Sequence, residues 1–155
     1  MKTETIKNTI WNNAMNWLMV LLISIVLTTP LTMADDSVSA EDIKAARQVI
    51  ASQISAFKAD DYELAYSFAA PNVKQVFTSA KAFKFMVQSG YTQLYQHTSY
   101  SFGESTSAND EVYQEIIVTD ESGQLWRFVY SLDKQQDQSW KITSVIMHRA
   151  EGKSV

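Results

Sequence analysis

The amino-acid sequence predicts an α+β fold in which N-terminal helices pack against a curved antiparallel sheet built by the C-terminal half. Apolar residues recur at helical spacing before Gly90, and after it they alternate with polar residues at the period of a β-strand. The clearest strands are the aromatic runs 123–130 and 139–147, which a short polar gap joins as a hairpin. Helices therefore come first along the chain and paired strands follow.

The first helix is predicted over 40–59, because Ser39 can cap it with Asp42 three residues further on. Its apolar face consists of residues at helical spacing, namely Ile43, Ala46, Ile50, Ile54 and Phe57. Asp60, followed by Glu63, repeats the capping pattern and predicts a second helix over 61–69 that ends before Pro71. We expect its inner face to consist of Leu64, Ala65 and Phe68.

Two further helical segments are predicted before the strands. Val73, Val76 and Phe77 indicate one turn of helix after Pro71. A helix over 80–89 is expected after Ser79 as its cap, with Gly90 in the left-handed conformation that ends many helices. Its buried stripe would be Phe83, Met86 and Val87.

Polar segments separate four sequential strands. Residues 103–110, 120–123 and 133–139 carry the Ser, Asp, Asn and Gly typical of turns. In the third strand, one face carries Trp126, Phe128, Tyr130 and Leu132, and the other carries Leu125, Arg127, Val129 and Ser131. The first face is expected to be the core. The second keeps enough apolar groups to be covered in part, for example by a second subunit.

Residues 1–34 are predicted to be a cleaved export signal, with the mature domain over 35–155. Lys2 and Lys7 precede an apolar run over 17–27, and the small residues Thr32 and Ala34 stand before the expected cut. The run is shorter than the roughly 20 residues of a membrane-spanning helix. We therefore expect a periplasmic or secreted protein. The alternative is a signal retained as a membrane anchor, and a lipid anchor is excluded because the chain has no cysteine.

The charge of the domain excludes several classes of function. Loss of Lys2, Lys7 and Glu4 with the signal leaves 11 basic and 16 acidic side chains, a formal charge of −5. Nucleic-acid binding is not expected, since it requires a basic surface. Without cysteine, the domain has neither disulfides nor thiolate metal ligands nor a cysteine nucleophile.

The order of five segments carries a resemblance to known proteins. These are 50–57 (I-A-S-Q-I-S-A-F), 60–71, 83–91, 123–130 and 140–145. A long helix, shorter helices and a final aromatic hairpin at this spacing resemble the cone-shaped roll of the NTF2-like superfamily, and within it the uncharacterised DUF4864 family. The resemblance implies the fold and a family without an assigned activity. NTF2-like enzymes such as ketosteroid isomerases place a buried carboxylate or His base and a Tyr or acid donor inside the cone.

The candidate site residues are chosen because the resemblance implies a site inside the cone. Glu115 is the only acid in the middle of a predicted strand, and it would be the base of an isomerase or lyase, with Tyr113 or Tyr95 as the donor. Alternatively, Glu115 pairs with Arg127 across the hairpin. The candidates for ligand contacts are Tyr91, Arg127 and Trp126.

No metal site or cofactor is predicted. His97 and His148 are the only imidazoles and lie at the outer ends of separate strands, without carboxylates identified beside them. Dinucleotide and phosphate-loop glycine motifs are also missing. The preferred interpretation is an exported, non-enzymatic domain that binds a small apolar molecule or a protein partner. The isomerase or lyase is the alternative, and a homodimer through the sheet face is a third.

Overall fold

A computed structural model describes residues 38–150. Within this range the chain forms five helices, α1 (Ala40–Lys58), α2 (Tyr62–Ser67), α3 (Pro71–Val76), α4 (Ala80–Gly90) and α5 (Thr92–Tyr95). Four strands follow, β1 (His97–Ala108), β2 (Glu111–Asp120), β3 (Leu125–Lys134) and β4 (Trp140–Arg149). The predicted α+β fold is confirmed. The predicted signal over 1–34 and the tail 151–155 lie outside the described residues.

Helix α1 confirms the first predicted helix and its cap. The Ser39 hydroxyl accepts a hydrogen bond from the Asp42 backbone N–H, and the Asp42 carboxylate accepts one from the Ser39 N–H. These two reciprocal bonds satisfy donors that a helix start otherwise leaves free. Between residues 38 and 150, no helix has the length and apolar character needed to span a membrane.

Helix α2 differs from the prediction at its cap and on its inner face. Asp61 is the cap, and its carboxylate accepts from the Leu64 N–H; Asp60 instead adopts a φ of 55° in the preceding turn. Ala65 is buried as expected, and Tyr62 joins it on the inner face. Leu64, a residue expected to face the core, is 46% exposed.

The remaining helices follow the prediction except at the end of α4. Pro71 occupies the first turn of α3, where its missing N–H costs nothing, and the Ser79 hydroxyl caps α4. Gly90 is the last residue of α4 and has no positive φ, so the expected left-handed end is wrong. The short helix α5 follows at once, which explains why the chain does not reverse at Gly90.

The four strands form one antiparallel sheet in the order β1-β2-β3-β4. Strand β1 reaches Ala108, so the polar loop expected over 103–110 reduces to a tight turn at Asn109 and Asp110, both with positive φ. Asn and Asp tolerate this backbone, which matches the twist of a hairpin. The Ser and Thr residues that suggested a loop therefore belong to an exposed edge strand, with a register shift between Phe102 and Ser105.

The core lies between the helices and one face of the sheet. That face carries Val112, Gln114, Ile116 and Val118 from β2, with Phe128, Tyr130 and Leu132 from β3. It confirms the predicted core face of the third strand. Along the free edge of β4, Ile142 bonds to the backbone of Phe68 and Ala70, so the segment between α2 and α3 extends the sheet.

One polar cluster joins α1 to the sheet. Arg47 Nε donates to the Oε1 of the fully buried Gln114 at 2.7 Å, and its Nη2 donates to Ser105 Oγ at 2.9 Å and to the Gly103 carbonyl at 3.3 Å. Gln114 Nε2 in turn donates to the carbonyls of Gly103 and Glu104, where the register of β1 shifts. Each buried polar atom of Gln114 is therefore satisfied.

We expect Arg47→Met to lower the free energy of unfolding by roughly 2 kcal/mol, because it deletes three hydrogen bonds and leaves the Gln114 carbonyl with the Ser105 hydroxyl as its donor. Urea unfolding followed by tryptophan fluorescence measures this change. The matched control is Arg149→Met, whose exposed guanidinium donates only to Gln124 and should cost less than about 0.5 kcal/mol. Equal losses in the two variants would contradict the role given to Arg47.

Candidate functional site

The candidate site is a cavity of about 390 Å³ between the helices and β4. All of the helices except α2 contribute to its wall, and the apolar side chains include Phe57, Val73, Phe83, Val87, Leu94 and Val145. Phe83 stacks against Phe57 with ring centroids 6.1 Å apart, which makes part of the wall a rigid aromatic surface. Short helices, rather than one long helix, cover this end of the sheet, and the space between them and β4 is the cavity.

The mouth of the cavity lies between α3 and β4. Three lining residues at this position are also exposed to solvent, namely Asn72, Val76 and Ser144, and Val76 is 71% exposed. The Asn72 side chain bridges the two elements by donating to the Thr143 carbonyl at 3.1 Å. A molecule that enters the cavity here passes the exposed Val76 side chain and the Asn72 amide, which its hydrogen bond holds in place.

The polar groups of the lining are few and mostly engaged. Tyr91 donates its hydroxyl to the Val145 carbonyl at 2.9 Å, and Thr143 donates to the Ser131 carbonyl at 3.0 Å. Gln53 donates through Nε2 to the Ala65 carbonyl at 3.2 Å. Among the lining residues within 38–150, none is an acid, a histidine, a lysine or an arginine. The cavity can therefore hold a neutral apolar molecule, but it offers no side chain that transfers protons near neutral pH.

Of the candidates from sequence, Tyr91 is in this cavity and Tyr95 is not. The Tyr95 ring lies 6.3 Å from that of Tyr62, and neither of these two residues lines the cavity. Burial raises the pKa of Tyr62 to about 12, so the Tyr62 hydroxyl stays protonated within the core. Tyr95 therefore packs among core aromatic rings rather than serving the cavity.

Glu115 lies on the outer face of the sheet, whereas the base of an isomerase or lyase would have to lie inside the cone. Its Oε2 accepts from Arg127 Nε at 3.0 Å, and its Oε1 covers Gly103, where an added Cβ would lie only 2.6 Å away. The expected pairing across the hairpin is thus the arrangement found. Tyr113 shares this outer face and donates to Glu111, which raises the pKa of the Tyr113 hydroxyl.

Trp126 and Arg127 do not line the cavity either. Trp126 lies at the end of β3, and its indole Nε1 donates to Asp120 Oδ2 at 2.8 Å. Hydrogen bonds from the Ser122 hydroxyl and from Trp126 lower the pKa of Asp120 to about 2. The indole therefore closes the turn between β2 and β3.

The two histidines remain apart. His97 Nδ1 lies 2.8 Å from the Leu94 carbonyl at the start of β1, whereas His148 is exposed on β4 opposite Arg127. Between residues 38 and 150, no group of three or more His, Cys, Asp or Glu side chains is placed to bind a metal.

Gln53 is the lining residue that the sequence analysis missed. It is only 3% exposed and lies on the buried face of α1, three residues after Ile50 and four before Phe57. A polar residue at that spacing, inside an otherwise apolar stripe, is the signal that would have found it.

Comparison with known proteins agrees with this architecture. The chain is similar to an NTF2-like protein of unknown function from Shewanella baltica OS155, with 12% identity over 72% of this chain and 96% of that one, at a TM-score of 0.50. It is also similar to Aln2 from a Streptomyces species, with 14% identity over 72% of this chain and 92% of that one, at a TM-score of 0.47. No curated protein matches the sequence.

The helices and the four-stranded antiparallel sheet give the domain an NTF2-like fold, the fold of the Shewanella structure. A family model described as "Domain of unknown function (DUF4864)" matches residues 39–155. The chain belongs to the DUF4864 family, as the sequence resemblance predicted.

The low pKa of Asp120 predicts how stability changes with pH. A free aspartate has a pKa of about 3.9, so the lower value in the fold makes the contribution of Asp120 complete above about pH 4 and lost as the pH falls toward 2. In Asp120→Asn, the free energy of unfolding should decrease less between pH 5 and pH 3 than in the unmodified protein.

Urea titrations at several pH values measure that slope, and the Trp126 indole resonance reports whether its hydrogen bond persists. Glu121→Gln, which removes a neighbouring exposed charge, is the control. An unchanged slope in Asp120→Asn would show that the hydrogen bonds to Asp120 do not stabilise its charged form.

Proposed function

We propose that this protein is an exported, non-enzymatic domain that binds a small apolar molecule in the cavity between α3, α4 and β4. The observation that carries the proposal is the combination of size and lining: about 390 Å³, walls of apolar and aromatic side chains, and a mouth at Val76. Ligand sites are commonly concave, largely apolar and furnished with a few oriented polar groups.

The volume indicates the size of the ligand. An apolar cavity of about 150 Å³ in a protein core is large enough to bind benzene. A space of about 390 Å³ is therefore suited to a molecule of two fused rings, or to a branched chain of similar bulk. Rigid aromatic walls at Phe57 and Phe83 favour a flat or compact shape.

The chemistry of the lining supports binding over the isomerase or lyase alternative. Proton abstraction near neutral pH requires a carboxylate or imidazole within hydrogen-bond reach of the substrate. Among the described residues that line the cavity, the only titratable group is the Tyr91 hydroxyl, and it already donates to the Val145 carbonyl. The pair of Glu115 and Arg127 lies on the opposite face of the sheet.

Export is the part of the proposal that rests on sequence alone. The basic start, apolar run and small residues of 1–34 support a signal that directs the domain to the periplasm or beyond. The denatured mass of the protein recovered from an export-competent bacterium distinguishes a removed signal from a retained anchor.

A second candidate role is self-association through the outer face of the sheet. Leu125 and Ile146 are 43% and 52% exposed there. The half-buried Val129 lies opposite Ile146, and the half-buried Ile117 lies opposite Arg127. Exposed apolar side chains grouped on one face favour a protein contact. The two roles are compatible, because the cavity opens on the other side of β4.

For the cavity, we expect the full-length protein to bind naphthalene and Val73→Phe to bind it at least tenfold more weakly, because the added ring occupies the space. Calorimetric titration measures both dissociation constants. Val129→Phe makes the same change on the outer face and should leave binding unaltered. Failure of the unmodified protein to bind naphthalene, or equal weakening in both variants, would argue against the cavity as a binding site.

For the outer face, we expect a dimer that Ile146→Glu converts to monomers, since the contact would bury an unpaired charge. Sedimentation equilibrium over a hundredfold range of concentration gives the dissociation constant. Phe85→Glu replaces an exposed side chain on α4 and serves as the control. A wild-type protein that stays monomeric throughout would rule out this interface.

A further inference from the structure

The amide of Gln53 is a polar group buried in the wall of an apolar cavity. The side chain is 3% exposed and its Nε2 donates to the Ala65 carbonyl at 3.2 Å. Among residues 38–150, no hydrogen-bond donor reaches its carbonyl oxygen Oε1. The residue lines the cavity beside Phe57 and Leu94, and both of these are apolar.

This oxygen is not sealed inside the protein. Between residues 38 and 150, the buried side-chain atoms without a partner are the hydroxyls of Tyr62 and Tyr130 and one oxygen of Asp133, so Gln53 Oε1 keeps access to the open space of the cavity. An acceptor in such a place bonds either to water or to a ligand that carries a donor. A ligand that displaces the water without replacing its hydrogen bond loses affinity, whereas a ligand with a hydroxyl donor does not.

We propose that the cavity selects a neutral alcohol or phenol with an apolar body, whose hydroxyl donates to Gln53 Oε1. This inference rests on the proposed function and names the class of its ligand. The hydroxyl fixes the orientation of the molecule at the α1 side, and the apolar body fills the space toward Val73 and Val145.

The other groups of the lining exclude charged ligands. A cation would need a carboxylate and an anion would need a cation, and among the described residues the lining has neither. The hydroxyls of Tyr91 and Thr143 and the amide of Asn72 already donate to backbone carbonyls. A donor carried by the ligand is therefore the complement of Gln53 Oε1, which is the free acceptor on the α1 wall.

Three probes of nearly equal bulk test the inference with the full-length protein: 1-naphthol, 1-methoxynaphthalene and naphthalene. The first carries a donor, the second only an acceptor and the third neither. We expect 1-naphthol to bind about tenfold more tightly than the other two, as one net hydrogen bond of roughly 1 kcal/mol or somewhat more implies. Calorimetric titration gives the three dissociation constants.

In Gln53→Met the preference for 1-naphthol should disappear while naphthalene binding is kept. Ser144→Ala is the control, because the Ser144 hydroxyl also lines the cavity but already donates to Ser131 Oγ at 3.0 Å. Should Gln53→Met fail to fold, the comparison of the three probes on the unmodified protein still decides the question.

The outcomes distinguish a failure of the role given to Gln53 from a failure of the cavity as a binding site. Equal affinity for all three probes overturns the role of Gln53 and leaves the apolar cavity intact. A preference that persists in Gln53→Met overturns the assignment to this residue. If none of the three binds, the proposed function fails and the inference fails with it.

Discussion

The structure depends most on the hydrogen bonds that hold α1 over the sheet. Gln114 is a fully buried amide in the middle of β2, and such a group must be satisfied on every side. Arg47 from α1 and the shifted backbone of β1 at Gly103 provide its partners. Because a helix rises about 1.5 Å per residue, Gln53 lies roughly 9 Å further along the same helix. The bonds at Arg47 thereby set where the α1 wall of the cavity stands.

The cavity follows from the way in which the chain covers the edge of β4. A long helix there would have packed its side chains into the concave face, but the chain uses the short helices α3, α4 and α5 instead. They are held by directional bonds: the backbone of Ile142 pairs with Phe68 and Ala70, and Asn72 and Tyr91 bond to carbonyls further along β4. These hydrogen bonds keep the helices in place. Packed side chains are therefore not needed for that purpose, and the space between the helices stays open.

Among the described residues, charged side chains are absent from the cavity wall, although Arg47 lies between α1 and the sheet. The ion pairs of Arg127 with Glu115 and of Lys134 with Asp42 lie on the outer face of the sheet and at the start of α1. The hydrogen bonds to the Asp42 carboxylate, first from Ser39 and then from Lys134, lower its pKa. An uncharged cavity wall suits the neutral apolar ligand proposed above, because a neutral molecule needs no charged partner.

The sequence by itself determined the features that depend on neighbours along the chain. Capping at Ser39 placed α1, and alternation on β3 identified its core face, because side-chain period and local hydrogen bonds are properties of short segments. Only the tertiary structure decided which faces meet. The same alternation that puts Gln114 inside puts Glu115 outside, away from the cone, and a polar residue such as Gln53 becomes a site only when distant helices enclose it. Sequence periodicity describes one element at a time, whereas a cavity is the space left between several.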